Sequence, residues 1–346
     1  MTGPPAATAA VRLAVRRVLP EGPVAAAVSG GADSLALAAA LAFERPGAVA
    51  LVVDHGLQPG SAEVAARAAE QCRVLGLTAQ VLTAQPAPDI GNPQHAGAGD
   101  STTPAARAAA AAPAAAGATP TAVAATPAGG GPEGRARAVR YALLDAAADR
   151  LDLQAVLLGH TLDDQAETVL LGLARGSGSR ALAGMAPTRG RYRRPLLGLT
   201  RATTAAACEQ AGLTAWQDPH NADPAHARVR VRRTVLPTLE TALGPGVAQA
   251  LARTARQLRE DADALDALTP DLEDAPRTAT LEALLPAVRA RALKRWAERS
   301  SGQAVTAFHV DALRALVERW HGQGPVWLPG GARVERDRGR LDCRRD

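Results

Sequence analysis

Two hydrophobic rhythms alternate along the first half of the chain. Pro23–Val28 is a short run of small apolar residues, and a glycine pair separates it from an alanine- and leucine-rich stretch, Ser34–Phe43. Ala48–Asp54 (AVALVVD) repeats the continuous apolar run, and Ser61–Leu75 shows the spaced apolar positions of a helix with one covered face. The same reading predicts a third strand at Thr78–Ala84, a helix at Arg135–Leu151, a fourth strand at Ala155–Gly159 and a helix at Asp163–Ala174. Strands alternating with helices predict an α/β fold, a parallel sheet with helices on both faces. Such sheets bind ligands beyond the carboxyl ends of their strands, so the loops after Val28, Val53 and Leu158 are the places to look for chemistry.

The rhythm breaks twice. Residues Pro86–Pro132 are Ala, Pro, Gly and Thr with almost no large apolar side chain. Such a segment cannot bury enough surface to offset its ordering entropy and reads as a disordered surface insertion, 86–132. Beyond Gly212 the pattern changes to helices with charged faces, predicted at His226–Leu243, Pro245–Leu268, Leu281–Arg299 and Thr306–Trp320. The tail Val326–Cys343 carries the turn signal LPGG and then alternating residues, which predicts a terminal β-hairpin. The expected organisation is two domains, 1–213 and a smaller, mainly helical 214–346.

Composition narrows the setting. Hydrophobic residues make up 47 % but aromatics only 2 %, so the core must be packed from Leu, Val and Ala. The formal net charge of +5 permits an acidic polymer as partner without requiring one. Lys294 is the only lysine, so the positive charge is nearly all guanidinium, whose planar fork suits phosphate. Cys72, Cys208 and Cys343 have neither CxxC nor metal-ligand spacing, as expected in a reducing compartment. No apolar run reaches the ~18 residues of a membrane span, and Met1–Pro20 does not read as a signal peptide. A cytoplasmic protein with no membrane partner is expected.

The first candidate site is Ser29-Gly30-Gly31-Ala32-Asp33-Ser34, which runs from a strand through two glycines into a helix. Glycines let the backbone approach a ligand closely, and a helix N-terminus offers unpaired N–H groups to an anion. There is no lysine beside these glycines and no GxGxxG, which excludes a Walker-type loop and a dinucleotide fingerprint. Asp54 and His55 end the second strand at the same edge. Arg137, Arg140 and Tyr141 lie on a helix that could equally be a solvated basic surface. His160, Asp164 and Glu167 are spaced i, i+4, i+7 and share one helical face, fit for a cationic ligand or a divalent ion. Arg228, Arg230, Arg232 and Arg233 form an arginine strip suited to phosphates, or to water alone.

These motifs carry a resemblance. SGGADS resembles the signature of the PP-loop ATP pyrophosphatases. VDHGL at 53–57 with Gln58 next, ARAVRY at 136–141, GHTLDDQAET at 159–168, RPLL at 194–197, the segment around Asp218–Asp223 and HARVRVRR at 226–233 together resemble the tRNA(Ile)-lysidine synthetases. The chain departs from that family at Gln58, His220 and Val229. The resemblance implies an adenine nucleotide α-hydrolase-like domain followed by a tRNA-binding one. It implies ATP as substrate at Ser29–Ser34, Asp54 and His55, with Mg2+ at Asp33. It implies L-lysine and tRNA(Ile) with a CAU anticodon as further substrates. It also implies catalytic roles for Asp33, Arg140, His160, Asp164, Glu167 and Arg232, and tRNA contacts from Arg137, Arg228, Arg230, Arg232 and Arg233. The expected reaction is AMP-forming carbon–nitrogen ligation, with Asp164 and Glu167 holding lysine. A PP-loop tRNA thiolase and a non-catalytic RNA-binding protein are the alternatives, and the oligomeric state stays open, a homodimer included.

Overall fold

A computed structural model describes residues 3–54, 56, 60–83, 132–218 and 223–345. His55, Gln58, His220, Asn221 and the expected insertion up to residue 131 lie outside the described residues. The chain divides into two compact units, 1–167 with 185–252, and 168–184 with 253–346.

The first unit opens with α1 (Ala6–Arg16), a helix that the sequence reading did not assign, buried through Val11 and Val15. The expected order follows: β1 (Val24–Val28), α2 (Ala32–Glu44), β2 (Val49–Asp54), α3 (Ser61–Val74), β3 (Thr78–Thr83), α4 (Pro132–Arg150), β4 (Ala155–Leu158) and α5 (Leu162–Leu173). Past α6 (Ser179–Leu182) in the second unit, a small hairpin, β5 (Thr188–Arg189) and β6 (Tyr192–Arg193), leads to α7 (Arg201–Gln210). Strand order is β3-β2-β1-β4-β6-β5, parallel except for β5. Strands so placed are buried on both faces and therefore read as unbroken apolar runs. Along β1, Val24, Ala26 and Val28 enter a core shared with α1, α2, α3 and α7, while Ala25 enters one shared with α4. The sheet is thus covered on both sides, as the sequence predicts. Its order reverses between β1 and β4, and that switch point leaves a crevice at the strands' carboxyl ends.

The segment predicted as one helix, His226–Leu243, is α8 (Ala227–Arg230), a π-helical turn (Val231–Val235) and α9 (Leu236–Leu243) in succession. Pro237 gives the physical reason. It has no N–H to donate and its ring would collide with the carbonyl four residues back, so the wider turn relieves the clash. Residues 214–252 pack with the nucleotide-fold unit rather than forming part of the second unit, as the expected boundary near Thr214 would have it.

The second unit holds the later part of α10 (Val247–Ala267) with α11 (Thr278–Glu282), α12 (Pro286–Ser301) and α13 (Ala307–Glu318). Its sheet has three antiparallel strands, β7 (Val326–Trp327), β8 (Ala332–Asp337) and β9 (Arg340–Arg345). The predicted hairpin is β8–β9, closed by two left-handed residues, Arg338 (φ 45°) and Gly339 (φ 75°), the backbone a two-residue hairpin turn requires. Trp296, Leu293, Leu313, Leu316, Val334 and Leu341 make a core separate from those of the first unit.

Candidate active site

A cavity of about 330 Å³ occupies the crevice at the carboxyl ends of β1 and β4. Of the residues singled out in the sequence, Ser29, Gly31, Asp33, Ser34, Arg140, Tyr141, His160, Asp164 and Arg232 line it. Gly159 lets this happen: a Cβ there would lie 3.2 Å from the Asp33 carbonyl and the Ser34 Cα, closer than side chains ordinarily tolerate. The absence of a side chain brings the end of β4 against the start of α2.

The glycine loop is held by its own polar groups. Gly30 takes φ +83°, a conformation that disfavours any residue with a Cβ, and its carbonyl accepts the Trp216 N–H at 2.9 Å. The Ser29 N–H donates to Ser34 Oγ at 3.1 Å, and the Ser34 hydroxyl donates to the Gly31 carbonyl at 2.9 Å. Ser34 therefore shapes the loop as well as lining the cavity. Asp54 is buried and its carboxylate accepts the Gly56 N–H at 2.9 Å, closing the turn after β2. Among the described residues, Gly30, Ala32 and Asp54 do not line the cavity.

Asp33 sits in the first turn of α2, hydrogen-bonded by the Thr204 hydroxyl and 3.9 Å from Arg201 Nε. Burial raises its pKa above the usual carboxylate value, with Asp164 adding to the rise and Thr204, Arg201 and Arg232 opposing it. Neither Thr204 nor Arg201 was recognised in the sequence, yet Arg201 is central. Its guanidinium lies 3.0 Å from Asp164 and 3.2 Å from Glu167, and its backbone N–H donates to Asp163 at 2.7 Å. Burial opposes its charge, but Asp164, Glu167, Asp33 and Asp163 together raise its pKa. The signal was present in outline: an arginine opening a helix, behind the Thr200 cap, four residues past RPLL.

The acidic face departs from expectation. Glu167 is 0 % exposed, and its oxygens receive Arg228 Nε at 2.8 Å, Arg232 Nε at 2.7 Å and the Arg201 guanidinium. In this conformation the partners of the Glu167 carboxylate are guanidiniums, and no surface of it faces the cavity. A buried charge needs compensating charge beside it, and here the arginine strip supplies it. Arg228 and Arg232 accordingly turn inward rather than presenting an all-outward row to phosphates. Arg232 still reaches the cavity wall, at 3.5 Å from Asp164. Arg230 donates to the Pro224 and Ala225 carbonyls at 2.6 and 2.8 Å, Arg233 is exposed, and Arg137 lies over the Tyr141 ring.

Asp164 remains at the cavity. It accepts the Thr161 N–H at 2.8 Å, so it caps the first turn of α5 as well as facing the site. Burial pushes its pKa up, but Arg201, the Thr161 amide and Arg228 outweigh it, and the carboxyl titrates below its ordinary value. Beside it, burial drives His160 down to about 4, with Arg194, Arg137 and Arg140 acting in the same sense against Asp164. At neutral pH the imidazole is uncharged, and its buried Nδ1 has no hydrogen-bond partner among the described residues. No three His, Cys, Asp or Glu side chains among the described residues form a metal cage. Magnesium carried on a nucleotide needs only one or two carboxylates, because phosphates and water complete its shell. Asp33 provides one such oxygen donor at the cavity wall.

The chain matches the family model described as a PP-loop domain over residues 8–109 and 116–239, and the TilS substrate binding domain over 277–341. It is 49 % identical over 331 residues to the tRNA(Ile)-lysidine synthase of Leifsonia xyli, spanning 91 % of this chain and 87 % of that protein. Against the tRNA(Ile)-lysidine synthase of Streptomyces coelicolor it is 45 % identical over 388 residues, with 99 % of each chain covered. In fold it is similar to the U34-tRNA thiolase NcsA of Methanococcus maripaludis, at a TM-score of 0.52 and 18 % identity, covering 73 % of this chain and 80 % of that one.

Proposed function

The chain belongs to the tRNA(Ile)-lysidine synthase family, and from that premise we propose that it joins free lysine to C2 of the wobble cytidine in a CAU-anticodon tRNA(Ile). As a member it is an ATP-using ligase that forms lysidine in tRNA(Ile). The observation that supports the finer reading is that Ser29, Gly31, Asp33 and Ser34 of the glycine loop line one cavity together with Asp164, Arg140, Arg201 and Arg232.

The chemical problem is that the carbonyl oxygen on C2 leaves poorly. In the proposed route that oxygen attacks the α-phosphorus of ATP and pyrophosphate leaves. The lysine amine then attacks C2, loses a proton and expels AMP. The loop at Ser29–Ser34 holds the departing diphosphate with backbone N–H groups at the start of α2. A magnesium ion bound at Asp33 would offset the negative charge that grows on those phosphates. Arg140 and Arg232 offer fixed guanidinium donors to phosphate or to the flipped-out base. Asp164, ionised and exposed to the cavity, receives the cationic end or the α-amino group of lysine. His160, neutral at pH 7, lies beside it as a hydrogen-bond acceptor. Glu167 acts from below by holding Arg201 and Arg232 in place.

The thiolase alternative loses support from the cysteines. Burial pushes Cys72 up to about 11 and also raises Cys208, so both stay protonated and poorly nucleophilic. The deciding experiment incubates the purified protein with ATP, lysine and the tRNA transcript, followed by mass spectrometry of the tRNA. A lysine-sized adduct on the wobble cytidine, with AMP and pyrophosphate released, is the expected result. Release of ADP and phosphate, or a sulfur-sized adduct, overturns it.

A further inference from the structure

Gly30 differs from its neighbours in the loop. Ser29 and Gly31 line the first cavity, whereas Gly30 lines a second one of about 530 Å³, walled by α3 and residues 212–217. A Cβ placed on Gly30 would lie 3.5 Å from the Ala68 Cβ, 3.8 Å from Val64 and 3.8 Å from the Trp216 Cβ, so the loop backbone rests directly on both walls. Its carbonyl accepts the Trp216 N–H at 2.9 Å. A trans peptide points its carbonyl and its N–H in opposite directions. Holding the Gly30 carbonyl back against Trp216 therefore turns the Gly31 N–H the other way, and Gly31 is on the wall of the first cavity.

A peptide between two glycines rotates easily, so a fixed direction depends on contacts from outside the loop. Residues 213–218, which supply the Trp216 N–H, form neither helix nor strand. Gln71, half-buried on α3, ties this segment down. Its amide oxygen accepts the Thr214 N–H at 2.8 Å, and its amide N–H donates to the Thr214 carbonyl at 3.1 Å. The side chain thus pairs with Thr214 much as a neighbouring strand would, using the donor and the acceptor that a glutamine carries together. Two residues later the same segment delivers its N–H to Gly30. Gln71 lies 143 positions from Thr214 in the chain, and none of the motifs above contains it.

We propose that Gln71 is a positioning residue for the diphosphate of ATP, acting through Thr214 and Trp216 on the Gly30–Gly31 peptide. The proposal rests on the reading above that the glycine loop holds the departing pyrophosphate. The loop's own bonds, between Ser29 and Ser34 and between Ser34 and Gly31, do not involve this latch. Loss of Gln71 therefore leaves the loop folded and loosens only the direction of one N–H donor.

The test titrates the full chain with inorganic pyrophosphate and with ATP in magnesium buffer by calorimetry, and records the Michaelis constants for ATP and lysine. Gln71→Met, which keeps the length of the side chain and removes both hydrogen bonds, should weaken pyrophosphate and ATP binding about three- to thirtyfold. The Michaelis constant for lysine should stay at the wild-type value. Gln71→Glu, which still accepts the Thr214 N–H, should fall between the two, and it decides the matter if the methionine variant does not fold. Arg73→Gln, which breaks the Arg73–Glu70 pair on the same helix, should change none of these quantities. Because Gln71 acts through Gly30, Gln71→Met should cost less affinity in a Gly30→Ala background than in the wild type. A role in folding alone would lower the melting temperature and leave the affinities of the folded variants at the wild-type value. That result, or an equal cost in both backgrounds, overturns the latch and leaves the diphosphate reading standing. A wild type that binds no pyrophosphate overturns both.

Discussion

The glycine loop lines the cavity, the carboxylate Glu167 lies buried against two of the cavity's arginines, and the two are held by opposite means. The loop is local. Its hydrogen bonds run mainly between residues five or fewer positions apart, and glycine backbone freedom provides its shape. The carboxylate is supported from a distance: Arg201, Arg228 and Arg232 lie 34, 61 and 65 residues further along the chain. A local device survives loss of its neighbours, whereas a buried charge stripped of partners is among the costlier defects a fold can carry.

Breaking the long-range half should have the largest effect. Replacing Glu167 by Gln leaves three guanidiniums around a neutral group, and the expected cost is about 3–5 kcal/mol in a denaturant titration. A loss below about 1 kcal/mol would show that the arginines find solvent or other partners as readily. Next in size is an acid effect. His160 titrates at about 4 when folded against 6.5 when free, so its contribution is complete above pH 6.5 and is lost as pH falls toward 4. The wild type should therefore lose up to about 3 kcal/mol more than His160→Gln over that window. Parallel pH–stability curves for the two proteins would refute the neutral buried imidazole.

Changes to side chains that face the cavity should act on rate rather than on folding. Asp33→Asn should slow pyrophosphate release by about a hundredfold or more, and full activity would remove Asp33 from the site. Arg201→Lys keeps the charge but loses the fork that spans Asp164 and Glu167, for about a tenfold loss in kcat/KM. Rescue to wild-type rate by lysine would reduce Arg201 to a point charge. The smallest effect belongs to the backbone: Gly30→Ala, with φ held at +83°, should cost about 1–2 kcal/mol. Its Cβ would meet only ordinary contacts, Ala68 at 3.5 Å being the nearest, so strain and not collision is what a thermal melt would read.

Legibility followed the same division. The strand–helix alternation was readable because buried parallel strands and covered helices leave different periods in the sequence, and β1 to α5 form where those periods predict. α1 is hard to read because it is alanine-rich and buries only Val11 and Val15, and the hairpin β5–β6 because two-residue strands leave no period at all. His226–Leu243 read as one helix, since nothing in periodicity distinguishes an α turn from the π turn that Pro237 enforces. At the site, the shared face of His160 and Asp164 is legible from spacing, and Asp33 from the resemblance that its loop carries. Arg201 and Thr204 were not, because their meaning lies in what they touch.

Sequence alone determined the order of elements, the glycine loop and the residue types along the face of α5, because each depends on neighbours within a few positions. Only the tertiary structure decided that Arg201, Arg228 and Arg232 close around Glu167, and that Arg201 and Thr204 meet Asp33. Burial and cross-strand register depend on which distant segments meet, and a linear pattern carries no record of that pairing.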